Sequence, residues 1–162
     1  MIDRCVGKYL AQVVDNDDPK GLARVRVQVP EILGEETTGW CLPSSPWAGP
    51  GVGLAVVPPV GALVLVEWPA GDTGRTPIWS GALWADGDGV EGAGPDVLIV
   101  VTPAGHRLVL RDTEGEEAVE VEAASGARLV LDGDGALVEF GSQKIALTSS
   151  SVSVNDGALE VR

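Results

Sequence analysis

The stretch from Gly105 to Val161 constrains the fold more than any other. It carries seven pairs of apolar residues, each pair split by one residue that must face the other way. They are Leu108/Leu110, Val119/Val121, Leu129/Leu131, Val138/Phe140, Ile145/Leu147, Val152/Val154 and Leu159/Val161. Alternation with period two is the signature of a strand with one apolar and one wet face. Gly115, Gly126, Gly133, Gly135, Gly141 and Gly157 fall between the pairs, where tight turns are needed. From the second member of each pair to the next, the steps are 11, 10, 9, 7, 7 and 7 residues. The connections shorten until little but strand and turn remains, which predicts a meander.

A meander of this kind presents an apolar stripe that something must cover. The segment holds one aromatic residue, Phe140, and offers neither a second apolar sheet nor an amphipathic helix. The most economical cover is the same stripe on other copies of the chain. Three copies about one axis give a triangular prism with the fourteen paired residues as its dry interior. At about 4.8 Å per strand, seven rungs would stack to about 34 Å. The rival arrangement is an ordinary monomeric sandwich or barrel. Steps of seven residues leave turns too short for its crossovers.

The chain as a whole, at 162 residues, is long enough for one domain or for a small domain with an appendage. Its 22 glycines and 11 prolines, with no long amphipathic run, place it in the all-β class. A formal net charge of −13 argues against a nucleic-acid partner, because binding phosphates takes a cationic face. No apolar leader segment follows Met1, so assembly in the cytoplasm is expected. Cys5 and Cys41 then read as two buried, reduced thiols.

Residues 1–94 read as a first domain. Tyr9 to Val14, Ala23 to Val29, Gly53 to Val57, Leu63 to Trp68 and Ile78 to Trp84 are its expected strands. Five short strands with a long excursion in the middle suit a small closed barrel of the OB type. All five tryptophans (Trp40, Trp47, Trp68, Trp79 and Trp84) lie here and read as core residues and interface anchors. Asp15 and Asp17 alternate as calcium ligands do, but the loop lacks the glycine and distal glutamate of an EF-hand and reads as a turn. Asp86 to Pro95 reads as a solvated hinge, and residues 95–162 as the second domain.

Thr102 to Gly115 (TPAGHRLVLRDTEG) resembles the segment that opens the β-helix in the phage baseplate assembly protein V and VgrG family, the central spikes of contractile injection machines. Arg24-Val25-Arg26-Val27 with Pro30 is similar to the first hairpin of that family's OB domain. Ser45-Pro46-Trp47-Ala48-Gly49, Pro58-Pro59-Val60-Gly61 and Pro77-Ile78-Trp79-Ser80-Gly81 resemble its later barrel signatures. Ala62 departs from the pattern, which usually has aspartate there.

The resemblance implies an N-terminal OB barrel followed by an intertwined trimeric β-helix or β-prism. It implies a homotrimer docked on a baseplate hub, with the β-helix directed outward. The end formed by Leu159, Val161 and Arg162 would meet a cap of the proline-alanine-alanine-arginine repeat type, and the target membrane would be a transient partner. Its expected role is a puncturing needle in a phage tail or related injection particle, without catalytic residues, metal or cofactor. The alternative role is a binding or assembly scaffold that does not pierce. His106, the only histidine, stands at the start of the ladder. A structural hydrogen bond at the first turn suits it better than an axial metal.

Overall fold

The computed structural model describes residues 4–161, with side chains through residue 159. Residue contacts divide it into two units that meet between Asp88 and Gly89, inside the stretch read as a hinge.

In the first unit, β1 (Tyr9–Asp15), β2 (Arg26–Gln28), β3 (Leu42–Pro43), β6 (Leu63–Glu67) and β7 (Ile78–Leu83) form one sheet in the order β2-β1-β6-β7-β3. All pairs are antiparallel except β3 with β7. Bridges Val25↔Cys41 and Gln28↔Thr37 then join β2 to the β3 segment, so the five strands close into a barrel. Alternation sends Ala11, Val13, Val27, Val64 and Val66 inward, where with Val25, Val29, Cys41, Trp68 and Trp79 they make the core.

Two of the expected elements differ. Gly53 to Val57 is not a barrel strand: only Gly53 pairs, in the short hairpin β4 (Ala48–Gly49) and β5 (Val52–Gly53), and residues 54–59 have no regular pairing. The third barrel strand is instead the two-residue β3, held by Leu42↔Ile78 and Pro43↔Trp79. The long excursion after Val29 opens with a single helical turn, α1 (Pro30–Leu33), where the proline needs no hydrogen-bond partner for its nitrogen. Cys5 and Cys41 are both free, Cys41 buried and Cys5 half-buried. Burial pushes the Cys41 thiol pKa up, against a contact from Thr38 Oγ1 at 3.3 Å.

The β1–β2 connection is organised by Asp18. Its carboxylate accepts from the backbone N–H groups of Lys20 (2.9 Å), Leu22 (2.8 Å) and Arg24 (3.3 Å), and from Arg24 Nε (3.0 Å). Arg24 in turn lies 5.4 Å over the Trp40 ring. With its lone pairs used by the turn, Asp18 has none to offer a cation. The guanidinium holds its carboxyl well below the usual carboxylate range.

The second unit is an eight-stranded antiparallel meander: β8 (Val97–Val101), β9 (Arg107–Arg111), β10 (Ala118–Glu122), β11 (Arg128–Asp132), β12 (Gly135–Phe140), β13 (Gln143–Leu147), β14 (Val152–Val154) and β15 (Leu159–Val161). It exceeds the expected ladder by one rung, β8. It also differs from an intertwined β-helix. Each strand pairs with its own sequence neighbours, leaving only the outer edges of β8 and β15 free. The cause is local, because the short glycine turns return the chain directly beside the strand it left.

Gly135 is indispensable to this arrangement. Its φ is +142°, and a Cβ there would lie 1.9 Å from the Leu147 carbonyl oxygen. Gly133, two residues earlier, has open space around it. We expect Gly135→Ala to cost at least about 1–3 kcal/mol in the unfolding transition of the second unit, read by denaturant midpoint at fixed protein concentration. Gly133→Ala is expected to leave it nearly unchanged.

Asp18 gives a prediction with a sign. A carboxylate with a depressed folded-state pKa contributes stability above its unfolded value, about pH 4, and that contribution fades as pH falls toward the folded value. Asp18→Asn should therefore lower the Tm of the first unit at neutral pH. The gap between variant and parent should narrow as the solution is made strongly acidic.

Candidate functional site

The meander's two faces differ in kind. On one, the row-by-row register stacks Leu110 on Val119, Val119 on Leu131, and Leu108 on Val121. It continues through Leu129↔Val138, Val138↔Ile145, Ile145↔Val154 and Leu147↔Val152. The predicted pairs whose side chains are described thus fall on a single face, with Phe140 opposite Gln143 and both Leu131 and Leu147 opposite Ala136. β8 adds Leu98 and Val100, opposite Leu110 and Leu108.

This face is open in the single chain. Phe140 is 59% exposed and Leu98 56%, and Leu108, Leu110, Val119, Val121, Leu131, Val138, Ile145, Leu147, Val152 and Leu159 are exposed as well. Leu129 and Val154 are half-buried. Val121, Leu129, Val138, Phe140, Ile145 and Val154 line a shallow apolar trough on it. Of the expected tip residues, Leu159 is exposed, the side chain of Val161 lies outside the described ones, and Arg162 lies outside the described residues.

The opposite face is a lattice of charge over a thin apolar line. Val109 and Val130 are buried there at 5% and 7% exposure. Along one row the register reads Arg107, Glu122, Arg128, Glu139, Lys144, with the sign alternating at every strand. Arg128 reaches Glu120 at 2.9 Å and Glu139 at 3.5 Å, and Arg111 reaches Glu120 at 3.8 Å. Lys144 pairs with Asp156. The Glu120 hydrogen bond, more than the Glu139 contact, raises the Arg128 pKa above its ordinary value.

Each half-exposed pair is worth little alone. Together they oppose a one-residue slip, which would turn the apolar face over. This row went unread in the sequence, although charges of alternating sign, four just outside an apolar pair and Glu139 between Val138 and Phe140, were its signal.

Side chains close the turns of the meander, among them the histidine weighed above as a metal ligand. Asp132 Oδ1 accepts from the N–H groups of Asp134 (2.9 Å) and Gly135 (3.2 Å), so that carboxylate closes a turn. His106 Nδ1 accepts from the Ala124 N–H at 3.1 Å and ties the β8–β9 turn to the β10–β11 turn. That hydrogen bond fixes the proton of a neutral imidazole on Nε2. Asn155, at a φ of +48°, carries the sheet past the end of β14. Its Oδ1 accepts from Lys144 N at 2.9 Å, and its Nδ2 donates to Gln143 Oε1 at 2.6 Å. Among the described residues no three His, Cys, Asp or Glu side chains gather as a metal site would need.

In the first unit the tryptophans separate. Trp68 and Trp79 are core, with Trp79 Nε1 donating to the Ala23 carbonyl at 3.2 Å. Trp47 and Trp84 stand 61% and 70% exposed. Among the described residues no helix is long and apolar enough to cross a membrane.

Comparison with known families divides the chain at the same place. Residues 9–84 match the type VI secretion system/phage-baseplate injector OB domain. Residues 97–160 match the phage baseplate V C-terminal trimerisation domain, which supports a homotrimer. No curated protein sequence matches the chain. A closed five-stranded barrel followed by a meander with one open apolar face, matched in order by these two models, places the chain in the phage baseplate assembly protein V/VgrG-like family of contractile injection systems.

Proposed function

We propose that three copies of this chain form the central spike of a contractile injection machine. The observation that carries the reading is the continuous exposed apolar face of the second unit, together with its trimerisation-family match. Three such meanders, each forming one wall of a triangular prism, would turn that face inward and leave the charged lattice in water. The trimer core then comprises Leu108, Leu110, Val119, Val121, Leu129, Leu131, Val138, Phe140, Ile145, Leu147, Val152, Val154, Leu159 and Val161. Leu98 and Val100 supply an eighth rung. A prism walled by fully paired sheets and filled with side chains is stiff, because tight packing leaves little room to deform.

The first unit is the part that docks on the baseplate hub. The β15 end, at Leu159, Val161 and Arg162, receives a cap protein of the proline-alanine-alanine-arginine repeat type, because an open strand edge invites pairing. The chain acts without catalysis or cofactor: it is assembled in the cytoplasm, carried in the particle, and driven through the target envelope by sheath contraction.

Two measurements test this. Light scattering with mass determination should give about 50 kDa, three times the 16.7 kDa chain. Val138→Glu should return the mass to that of one copy, since an unpaired carboxylate in a dry interior costs several kcal/mol. Glu122→Gln on the opposite face should leave it at three. A monodisperse, well-folded single copy of the parent chain would overturn the trimer. Separately, gold-conjugated antibody against the chain should mark contractile particles at one end only, at the baseplate. Label along the sheath, or none on the particles, would remove the spike.

A further inference from the structure

The excursion between β3 and β6 is the second exposed apolar feature of the molecule, and the trimer core does not account for it. Residues 46–57 are exposed at every position. They include Trp47, Val52, Leu54, Val56 and Val57. No charged side chain occurs between Glu36 and Glu67 in a chain whose net charge is −13. The excursion is nevertheless shaped. Ser45 Oγ lies 2.9 Å from both the Trp47 and the Leu54 carbonyl oxygens, and the β4–β5 hairpin closes between them. Its far end is tied to the residue that follows β1, with Asn16 Nδ2 donating to the Pro58 carbonyl at 3.0 Å. It is an apolar arm, pinned at its base, whose residues 46–57 are left exposed by every described residue of the chain.

The same unit carries a surface to receive it. On β1, β6 and β7 the residues that alternate away from the core include Leu10, Leu63, Leu65 and Leu83. Leu10 stands beside Leu65, and Leu63 beside Leu83. Leu10 and Leu83 are exposed, Leu63 and Leu65 half-buried. Four leucines on the outer wall of a barrel in a strongly acidic chain form a patch that ordinarily marks an interface.

We propose that the arm of one copy packs on the leucine wall of the next copy's barrel, so that the three first units close a ring. Arm and wall are different surfaces of one chain, which makes the contact heterologous, and a heterologous contact closes under three-fold rotation. The occupant is a second copy because the trimerisation domain holds two more barrels beside each one. At that effective concentration a modest apolar contact forms without further help. An uncharged arm is also a part of so acidic a chain that another copy can approach without repulsion. The inference rests on the homotrimer of the proposed function and adds a separate, first-unit interface to it.

The test replaces Trp47 in the full chain by the photocrosslinker benzoylphenylalanine and irradiates the purified protein after its mass has been measured. We expect a crosslinked dimer band whose peptide map joins position 47 to β1, β6 or β7 of another copy. Leu10→Glu with Leu83→Glu, two outward-facing changes that leave the barrel core untouched, should abolish that band while the mass stays at three copies. A trimer whose position 47 crosslinks only within its own chain, to other segments of its neighbour, or to nothing would overturn the arm-to-wall contact and leave the spike standing. A sample with the mass of one copy would overturn both.

Discussion

The second unit depends on one constraint. A sheet of eight strands cannot be dry on one side and alone. Its open face presents a row of aliphatic side chains from Leu98 to Leu159, with Phe140 the single ring among them. Fully covering a side chain of this size is worth about 1.5–3 kcal/mol, so a face this long cannot remain in water at equilibrium in a cell. Residues 97–160 match a trimerisation domain, and in the proposed trimer the other two copies supply the cover. On that reading the fold is completed by association, and its stability depends on concentration as that of obligate oligomers does.

Keeping the face intact is a problem of register. Side chains along a strand alternate, so one slipped residue would expose the whole stripe and bury charge in its place. Three devices oppose the slip. The alternating row from Arg107 to Lys144 pairs well in one register only. Gly135 sits against the Leu147 carbonyl at a distance no side chain could occupy. Asn155 substitutes its side-chain amide for the backbone where β14 runs out. The charged pairs each contribute little energy, but all three devices penalise the same error.

How much of this was legible follows from how strongly each strand alternates. The seven pairs from Leu108 to Val161 were readable because apolar residues recur two apart between polar stretches, and the pairs whose side chains are described fall on one face. β8 was missed for the opposite reason. Val97 to Val101 is apolar throughout, because Ile99 lies opposite the buried Val109 on the reverse face while Leu98 and Val100 join the stripe. A continuous apolar run carries no phase. β3 was missed because two residues, one a proline, carry no periodicity at all. Gly53 to Val57 was mistaken for a barrel strand because its valines and leucine have the right composition, and composition does not say whether a partner strand is within reach. The apolar stripe could be named from the pairs alone, whereas the charged row needed the register before its alternation had meaning.

The two units solve the same difficulty in different ways. The barrel closes on itself: β3 meets β7 on one side and β2 on the other, so its core of valines needs no second chain. Its residual apolar surface is concentrated in the arm and in the leucine wall. The meander never closes, and its two outer edges stay free. A chain that is acidic over both units would repel its copies wherever charged surfaces met. The apolar face and the arm are the places from which charge is withheld. In the proposed assembly, association is directed by where carboxylates are absent as much as by where hydrophobic groups are present, and sideways sticking between copies is suppressed by the same charge.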